Sequence, residues 1–252
     1  MIPLPIKPKI TKKEKNKAIF EIENLYPGYG ATIGNSLRRV LISSLEGATA
    51  TQVKIKNVSH EFSTIPGVLE DVFNIMLNLK QLRFKMFTDE PQKAILKVKG
   101  EKNVKGSDLK LPSQLELVSK DVHMATLTDK KAELEMEIQV EKGVGYVPKE
   151  ARQSQKAEIG ILPLDAIFTP IRNVAFNIEN MRVGKRTDFD KLFLEIETDG
   201  TVSPQEAFSQ ASDILFKHFD LFSQAFKTEK KIVAKKEAKI KKDEKKEKRK
   251  KA

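Results

Sequence analysis

The alternation of apolar and polar residues near the start of the chain predicts a strand followed by a helix. Phe20 and Ile22 alternate with glutamates, which is typical of a strand with one buried face. A turn with Gly28 and Gly30 follows, and apolar residues then recur at helical spacing over 33–45. A glycine two residues later is a favourable helix stop. The chain therefore begins with a strand–turn–helix unit.

The pattern changes to many short strands between residues 47 and 170. The clearest strand is "ELEMEIQV" at 133–140, in which every second residue is apolar. The stretch "VLEDVFNIMLNL" at 68–79 instead has apolar residues over a wide helical arc, which predicts a largely buried helix. These features predict a mostly-β unit that contains one helix.

The last patterned region predicts two strands and a long amphipathic helix. The strands are "FTPIRNVAFNIEN" and "KLFLEIETDG", and the helix begins at Ser203 with a proline next and Glu206 as the third helical residue, a capping box. Its apolar seam, spaced by three and four, consists of Phe208, Ala211, Leu215, Phe219, Phe222 and Phe226. Such a helix packs either on its own sheet or against a second chain, and the sequence leaves both open.

The positive charge of the chain is concentrated at one end. The net charge is +11, but residues 227–252 hold 14 of the 46 Lys and Arg residues and only 5 of the 35 Asp and Glu residues. The rest of the chain is nearly neutral, which argues against a broad DNA-binding face on the folded part. Residues 227–252 are a Lys/Glu-rich low-complexity tail that we expect to be disordered.

Composition also bears on the cellular compartment. The chain has no cysteine, which excludes disulfides and thiolate metal sites. No apolar run is long enough for a secretory signal or a membrane span. We therefore expect a cytoplasmic protein that has no membrane partner.

No residue pattern points to catalysis by this chain. His60, His123 and His218 lie far apart and in no known motif, and no serine sits in a nucleophile elbow. The stretch "GYGATIG" resembles a dinucleotide fingerprint, but Ile33 occupies the place of the third glycine and no Walker lysine follows. We expect no catalytic residue, metal site, cofactor or small-molecule substrate.

The glycines of this stretch and the helix after it instead suggest a protein interface. Three glycines, Gly28, Gly30 and Gly34, allow a helix to approach another backbone closely. On a helical wheel the apolar stripe faces one way, Arg38 lies at its edge and Arg39 points outward. Ile42 lies off the stripe, near both arginines. An outward Arg–Ile surface is typical of interfaces.

Five motifs in order resemble the bacterial-type RNA polymerase alpha subunit. They are "GYGATIGNSLRRVLISSLEGA", "HEFSTIPGVLEDVFNIMLNLK", "GVGYVP", "FTPIRNVAFNIEN" and "RTDFDKLFLEIETDGTVSPQEAF", and the resemblance covers about residues 19–226. It implies an α+β fold in which a discontinuous dimerisation domain, 1–46 and 171–226, carries an inserted mostly-β domain, 47–170. The family usually continues into a helical DNA-binding domain, whereas only the tail 227–252 follows here.

The resemblance also implies partners and contact residues. In the family two alpha chains dimerise and then recruit the beta and beta-prime subunits, and the catalytic Mg is expected in beta-prime. The implied beta contact is Arg39, with Arg38 and Ile42. The residues implied to meet beta or beta-prime are Lys80, Leu164 and Asp165. The implied dimer residues are Leu37, Leu41, Leu45, Leu215, Phe219, Phe222 and Phe226. Ala31 and Pro163 depart from the family pattern.

The expected function is therefore a homodimeric scaffold that nucleates assembly of DNA-directed RNA polymerase without catalytic residues of its own. The alternative is a stand-alone nucleic-acid-binding protein that acts through its basic tail. In either case DNA contact by this chain is expected to be weak, salt-sensitive and confined to residues 227–252.

Overall fold

The computed structural model describes residues 2–152 and 160–225. The first elements are β1 (Lys9–Lys13), β2 (Lys17–Leu25) and α1 (Tyr29–Ser44). The central elements are β3 (Glu46–Ile55), α2 (Val72–Leu79), β4 (Phe84–Met86), β5 (Gln92–Lys99), β6 (Lys102–Lys105), a 3-10 turn (Gly106–Asp108), β7 (Leu115–Leu117), β8 (His123–Leu127), β9 (Glu133–Val144), β10 (Tyr146–Val147), α3 (Lys149–Arg152), β11 (Ile161–Pro163) and β12 (Ala166–Ile167). The last are β13 (Ile171–Val183), β14 (Arg186–Thr198) and a terminal helix over 204–225. The fold is α+β with a strand-rich insert, as predicted.

One antiparallel sheet joins the two ends of the described chain. Its strand order is β1-β2-β14-β13, so β2 pairs with a strand more than 150 residues later, and Phe20 lies opposite Leu194. Helix α1 packs on this sheet, and the ring of Phe208 in the terminal helix stacks on Phe20 with centroids 4.8 Å apart. The alternation in β2 buries Phe20 and Ile22, as the sequence predicted.

The central residues form a second sheet with its own core. The strand order is β5-β9-β3-β4-β7, with β11 also paired to β3, and all pairs are antiparallel. The alternating strand predicted at 133–140 is the first part of β9. Helix α2 begins at its N-cap Asp71, whose carboxylate accepts from the Asn74 backbone N–H, and buries Val72, Ile75, Met76 and Leu79.

The buried apolar side chains form separate clusters. The largest runs from Ala50 to Leu164 and contains only central residues, whereas the others combine residues 18–45 with residues 171–211. A cleft of about 430 Å³ lies where the two regions meet, lined by residues from the start of β3, from β4 and from the terminal helix. The limits of independently folding domains remain a prediction.

The chain passes into the central region and back out of it at nearly the same place. It enters at Gly47 and returns at Phe168, and these residues are in tight contact: a Cβ on Gly47 would lie 1.8 Å from the carbonyl oxygen of Phe168. Phe168 also packs against Gly143, which pairs with Gly47 across β3 and β9. Only glycine fits at position 47.

A carboxylate of the same chain binds the backbone of the turn before α1. Gly28 adopts a left-handed conformation with φ 84°, and the backbone N–H groups of Gly28 and Gly30 both donate to Oδ2 of Asp190 at 2.9 Å. Asp190 is 8% exposed and comes from β14. Its carboxylate occupies the position at the helix N-terminus that a phosphate would need. The glycine-rich turn is therefore a helix cap completed by a distant residue.

The glycines of α1 provide clearance for the chain's own sheet. A Cβ on Gly30 would lie 2.9 Å from Oδ2 of Asp190, and one on Gly34 would lie 2.9 Å from the ring of Phe176 and 3.0 Å from Leu192. The sequence-based interpretation, in which these glycines admit another protein, is corrected because β13 and β14 already fill that space.

The inner face of α1 needs a similar correction. Leu37, Leu41 and Leu45 are at most 4% exposed and pack in one cluster with Phe20 and Leu194. The sequence-based expectation is that they contact a second chain, but their side chains are used up in the intramolecular core. They support the helix from below and offer no surface to a partner.

Replacing Asp190 by alanine is expected to lower the free energy of unfolding by about 2–4 kcal/mol, because two N–H groups lose a charged acceptor. Urea denaturation of the purified chain measures this. Asp188→Ala is the matched control: Asp188 is on the same strand, but it is exposed and pairs with Arg186 in solvent. We expect the control to cost at most about 1 kcal/mol. Equal effects of the two changes would contradict the capping role.

Candidate assembly interface

The outer face of α1 is a free cationic and apolar surface. Arg38 and Arg39 are exposed, and the side chain of Ile42 is 42% exposed. Within the described residues neither guanidinium forms a hydrogen bond or ion pair. Arg39 points outward as the helical wheel predicted, and Arg38 is outward as well. Together the three side chains form a surface, called here the α1 surface, that can pair with carboxylates and bury an aliphatic group.

The structure brings together two predicted contact residues that lie 85 positions apart. Nζ of Lys80, at the end of α2, is 2.6 Å from Oδ2 of Asp165. Oδ1 of Asp165 accepts from the backbone N–H of Lys149 at 3.0 Å. The Lys80 ammonium, followed by the Lys149 N–H, lowers the pKa of the Asp165 carboxyl. The half-buried pair is thus a preorganised polar site at the protein surface.

Leu164, predicted to meet the same partners, does not reach that surface. It is 1% exposed and belongs to the core of the central region. The backbone N–H of Leu164 donates to the carbonyl of Thr51. The prediction that the Leu164 side chain contacts another subunit is therefore corrected. Its burial instead fixes Asp165 next to Lys80.

Beside the Lys80–Asp165 pair lies an apolar surface that sequence reasoning missed. Phe73 and Leu77 on α2 are each 42% exposed, and Phe62 is 74% exposed and stacks on Phe73 with ring centroids 6.3 Å apart. Phe73 and Leu77 line a depression of about 160 Å³ together with Lys80 and Asp165. We call the three apolar residues the α2 patch. The sequence signal for this surface was the wide apolar arc of α2. The arc is wider than the face of the helix that packs on the core, so some apolar side chains are left exposed.

The terminal helix divides into two parts. Its first part, to Leu215, packs on the first sheet: Ala207 and Ala211 are fully buried, and Phe208 and Leu215 are partly buried. Beyond it the large apolar side chains are exposed. They are Phe216 at 69%, Phe219 at 62%, Leu221 at 66% and Phe222 at 61%.

Of the two sequence-based alternatives, packing on the chain's own sheet is confirmed for the first part of the helix, and packing against a second chain stays a prediction. The helix packs on its own sheet over its first three turns, whereas residues 216–225 carry their apolar side chains in solvent over about 15 Å. Leu215 lies at the boundary. Phe216 and Leu221 lie outside the predicted seam. Phe226, the last predicted dimer residue, lies outside the described residues, as does the tail 227–252.

The histidines have ordinary local partners. His60 Nδ1 lies 3.2 Å from the Ser63 hydroxyl, and His218 Nδ1 contacts the carbonyl of Ile214 in the same helix. His123 lies 2.8 Å from both the Glu70 carboxylate and the Asn103 side-chain oxygen. In the part of the chain that the structure describes, no three or more His, Cys, Asp or Glu side chains form a metal-binding group. None of the helices in that part is both long and apolar enough to span a bilayer.

Comparison with known proteins gives a consistent result. The family model described as the RNA polymerase Rpb3/RpoA insert domain matches residues 53–169. DNA-directed RNA polymerase subunit alpha of Symbiobacterium thermophilum is 50% identical over 203 residues, 81% of this chain and 64% of that protein. The subunits of the same name from Alkaliphilus oremlandii and Syntrophomonas wolfei are each 47% identical over 86% of this chain, and the matches cover 69% and 70% of their own lengths.

The chain thus spans about two thirds of the length of these relatives, 64% of the first. The similarity covers both the central region and the residues on either side of it, and the identity is far above the level at which fold alone is shared. The chain belongs to the family of DNA-directed RNA polymerase alpha subunits.

Proposed function

We propose that this protein is the assembly scaffold of a DNA-directed RNA polymerase, in which two copies dimerise and the dimer recruits the beta and beta-prime subunits. The observation that carries the proposal is the exposed row of phenylalanine side chains Phe216, Phe219 and Phe222, on a helix whose first part is packed. A monomer would leave this row in water. Its burial against a second copy accounts for it.

The dimer contact that we propose is formed by Phe219 and Phe222, with Leu215 at its inner edge and Phe226 as a further predicted member. Phe219 and Phe222 follow each other at helical spacing on one side of the helix. Aromatic side chains of this size dominate interface energetics, since each buries a large apolar area. Leu37, Leu41 and Leu45 contribute only by holding α1 in place.

The beta subunit is proposed to bind the α1 surface. Arg39 and Arg38 offer charged donors without partners in the described chain, and Ile42 supplies an apolar contact beside them. Arginine is enriched in interface hot spots because its planar fork can bind a carboxylate bidentately. The surface lies on the side of α1 opposite its core, so beta can bind without disturbing the fold.

A second contact to beta or beta-prime is proposed at the Lys80–Asp165 pair. The α2 patch of Phe62, Phe73 and Leu77 adjoins the pair and adds apolar area to it. An apolar patch next to a fixed polar pair is the usual composition of a specific protein interface.

Nucleotidyl transfer is proposed to belong to the assembled enzyme. The Mg ion that catalyses it is expected to be held by beta-prime, and this chain is proposed to supply neither a catalytic residue nor a cofactor site. Its contribution to transcription is the geometry in which the large subunits are brought together.

The mass of the purified chain in solution, alone and mixed with the beta subunit, tests the proposal. We expect a dimer alone and a larger complex with beta. A monomer that ignores beta and binds DNA through residues 227–252 would instead support the alternative, a stand-alone nucleic-acid-binding protein. Truncation after residue 226 then distinguishes the scaffold from the stand-alone nucleic-acid-binding protein. It removes the tail, so it should abolish DNA binding and nothing else.

The variant Arg39→Ala is expected to remain a dimer but to bind beta about 30-fold more weakly, a loss of about 2 kcal/mol. Titration of labelled beta with the dimer gives the affinity, and light scattering gives the mass. Arg182→Ala, which removes an exposed arginine on β13, is the matched control and should leave both unchanged. Loss of the dimer in Arg39→Ala would show that the α1 surface is assigned to the wrong partner.

A further inference from the structure

No buried apolar cluster spans the junction between the central region and the rest of the described chain. The buried clusters on the two sides are separate, and a cleft of about 430 Å³ lies where they meet. The two covalent connections lie against each other at Gly47 and Phe168. Two adjacent connections alone form a hinge, and domains joined in this way rotate unless a further contact holds them.

Arg83 supplies a side-chain contact between the two sides of this junction. It follows α2, its side chain is only 21% exposed, and its Nη1 donates to the carbonyls of Lys80 at 2.8 Å and Leu82 at 3.1 Å. Nε of the same guanidinium lies 3.4 Å from Oδ2 of Asp199. One side chain therefore joins the end of α2, where Lys80 lies, to the segment after β14.

Asp199 is equally well fixed on its own side. Its side chain is 5% exposed, and Oδ1 accepts from the backbone N–H of Thr201 at 2.9 Å and from the Thr201 hydroxyl at 2.6 Å. Its backbone N–H donates to the carbonyl of Pro170 at 2.9 Å. Four residues further on, Ser203 caps the terminal helix. The position of Asp199 is thus tied to the position of the terminal helix.

Among the ion pairs formed between described residues, Arg83–Asp199 is the only one that joins residues 47–170 to the remainder. Burial lowers the pKa of Arg83, and the Asp199 carboxylate opposes this effect while Arg172 adds to it. A buried pair of this kind contributes little net stability, because desolvation offsets the attraction. Its value lies in the geometry that it selects.

We propose that Arg83 and Asp199 form a clamp that fixes the angle between the end of α2 and the terminal helix. Both are positioning residues. If the proposed function holds, the clamp sets the α2 patch and the Lys80–Asp165 pair at a defined angle to the dimer contact. A partner that spans both surfaces would then be recruited by the correctly oriented dimer.

The distance between two spin labels tests the clamp in the full chain. The absence of cysteine allows labels to be placed at Lys130→Cys, beyond the end of β9 that is distant from the hinge, and at Lys185→Cys, in the turn between β13 and β14. Dilution with unlabelled chain removes distances between copies. Pulsed electron paramagnetic resonance then gives the distance distribution.

The changes Arg83→Met and Asp199→Asn are each expected to widen this distribution at least about twofold, because the hinge is released. The double variant should be no wider than either single one. Lys56→Met, which breaks exposed ion pairs to Glu133 and Glu135 inside the central region, is the control and should leave the width unchanged.

Unchanged widths in folded Arg83→Met and Asp199→Asn would overturn the clamp. Asp199→Asn keeps the acceptor oxygen for Thr201, so it decides the question if Arg83→Met does not fold. Light scattering on the same samples tests the proposed function separately: a monomeric parent chain would contradict the scaffold, whereas the width of its distance distribution would still report on the clamp.

Discussion

Replacing Phe219 or Phe222 by alanine is expected to convert the protein from a dimer to a monomer at low micromolar concentration. Each side chain is more than 60% exposed in a single chain, so the substitution removes little from the monomer. In the dimer the same ring would be buried, and losing it costs about 3–5 kcal/mol. The dissociation constant should therefore rise by roughly a hundred- to several thousand-fold. Sedimentation velocity over a concentration series measures it.

Leu221→Ala is the matched control for this experiment. Leu221 is 66% exposed on the same part of the helix, but it lies about 200° around the axis from Phe219. Its replacement should change the dissociation constant far less. If Leu221→Ala disrupts the dimer and both phenylalanine variants do not, the opposite side of the helix forms the contact. If all three remain dimers, residues 216–225 are not the dimer contact.

Gly47→Ala is expected to prevent native folding or to reduce the free energy of unfolding by more than about 4 kcal/mol. A methyl group there would lie 1.8 Å from the carbonyl oxygen of Phe168, which is a backbone atom and cannot rotate away. Either the entry or the return of the chain must move to relieve this clash, although Gly47 lies within β3 and Phe168 directly follows β12. The yield of folded protein and its urea midpoint measure the effect.

Gly184→Ala separates this clash from the general cost of adding a side chain. Gly184 has φ 63°, and a Cβ added there would meet no neighbouring atom within 4 Å. The only cost of alanine at this position is therefore the strain of a left-handed backbone conformation. That strain amounts to about 1–2 kcal/mol. Similar losses in the two variants would contradict the close contact between Gly47 and Phe168.

Local patterns were predictable from the sequence because they depend on neighbouring residues. The alternating residues of β2 and β9 became strands, and the apolar spacing at 33–45 became α1. The capping box also formed: the Glu206 N–H donates to the Ser203 hydroxyl, and the Ser203 N–H donates to the Glu206 carboxylate. In each case the decisive interaction spans a few positions.

Three features that sequence reasoning missed depend on residues that are distant in the chain. The carboxylate that caps α1 is 160 positions away from Gly30, and no local signal links Asp190 to that turn. The inward stripe of α1 revealed that Leu37 and Leu41 are buried, but not whether their own chain or another covers them. Likewise, a seam of constant spacing could not show that the terminal helix leaves its sheet after Leu215.

The pairing of β2 with β14 has a consequence for synthesis of the protein. When residues 17–25 have just been synthesised, about 160 residues that precede their partner strand have not yet been translated. At roughly 5–20 residues per second, the interval is about 10–30 s. The central region, whose described strands pair only with one another, is predicted to be a separate domain and would then fold during this time. The first strand and helix then have their apolar faces in solvent, so the nascent chain exposes aggregation-prone apolar surface until the sheet is completed.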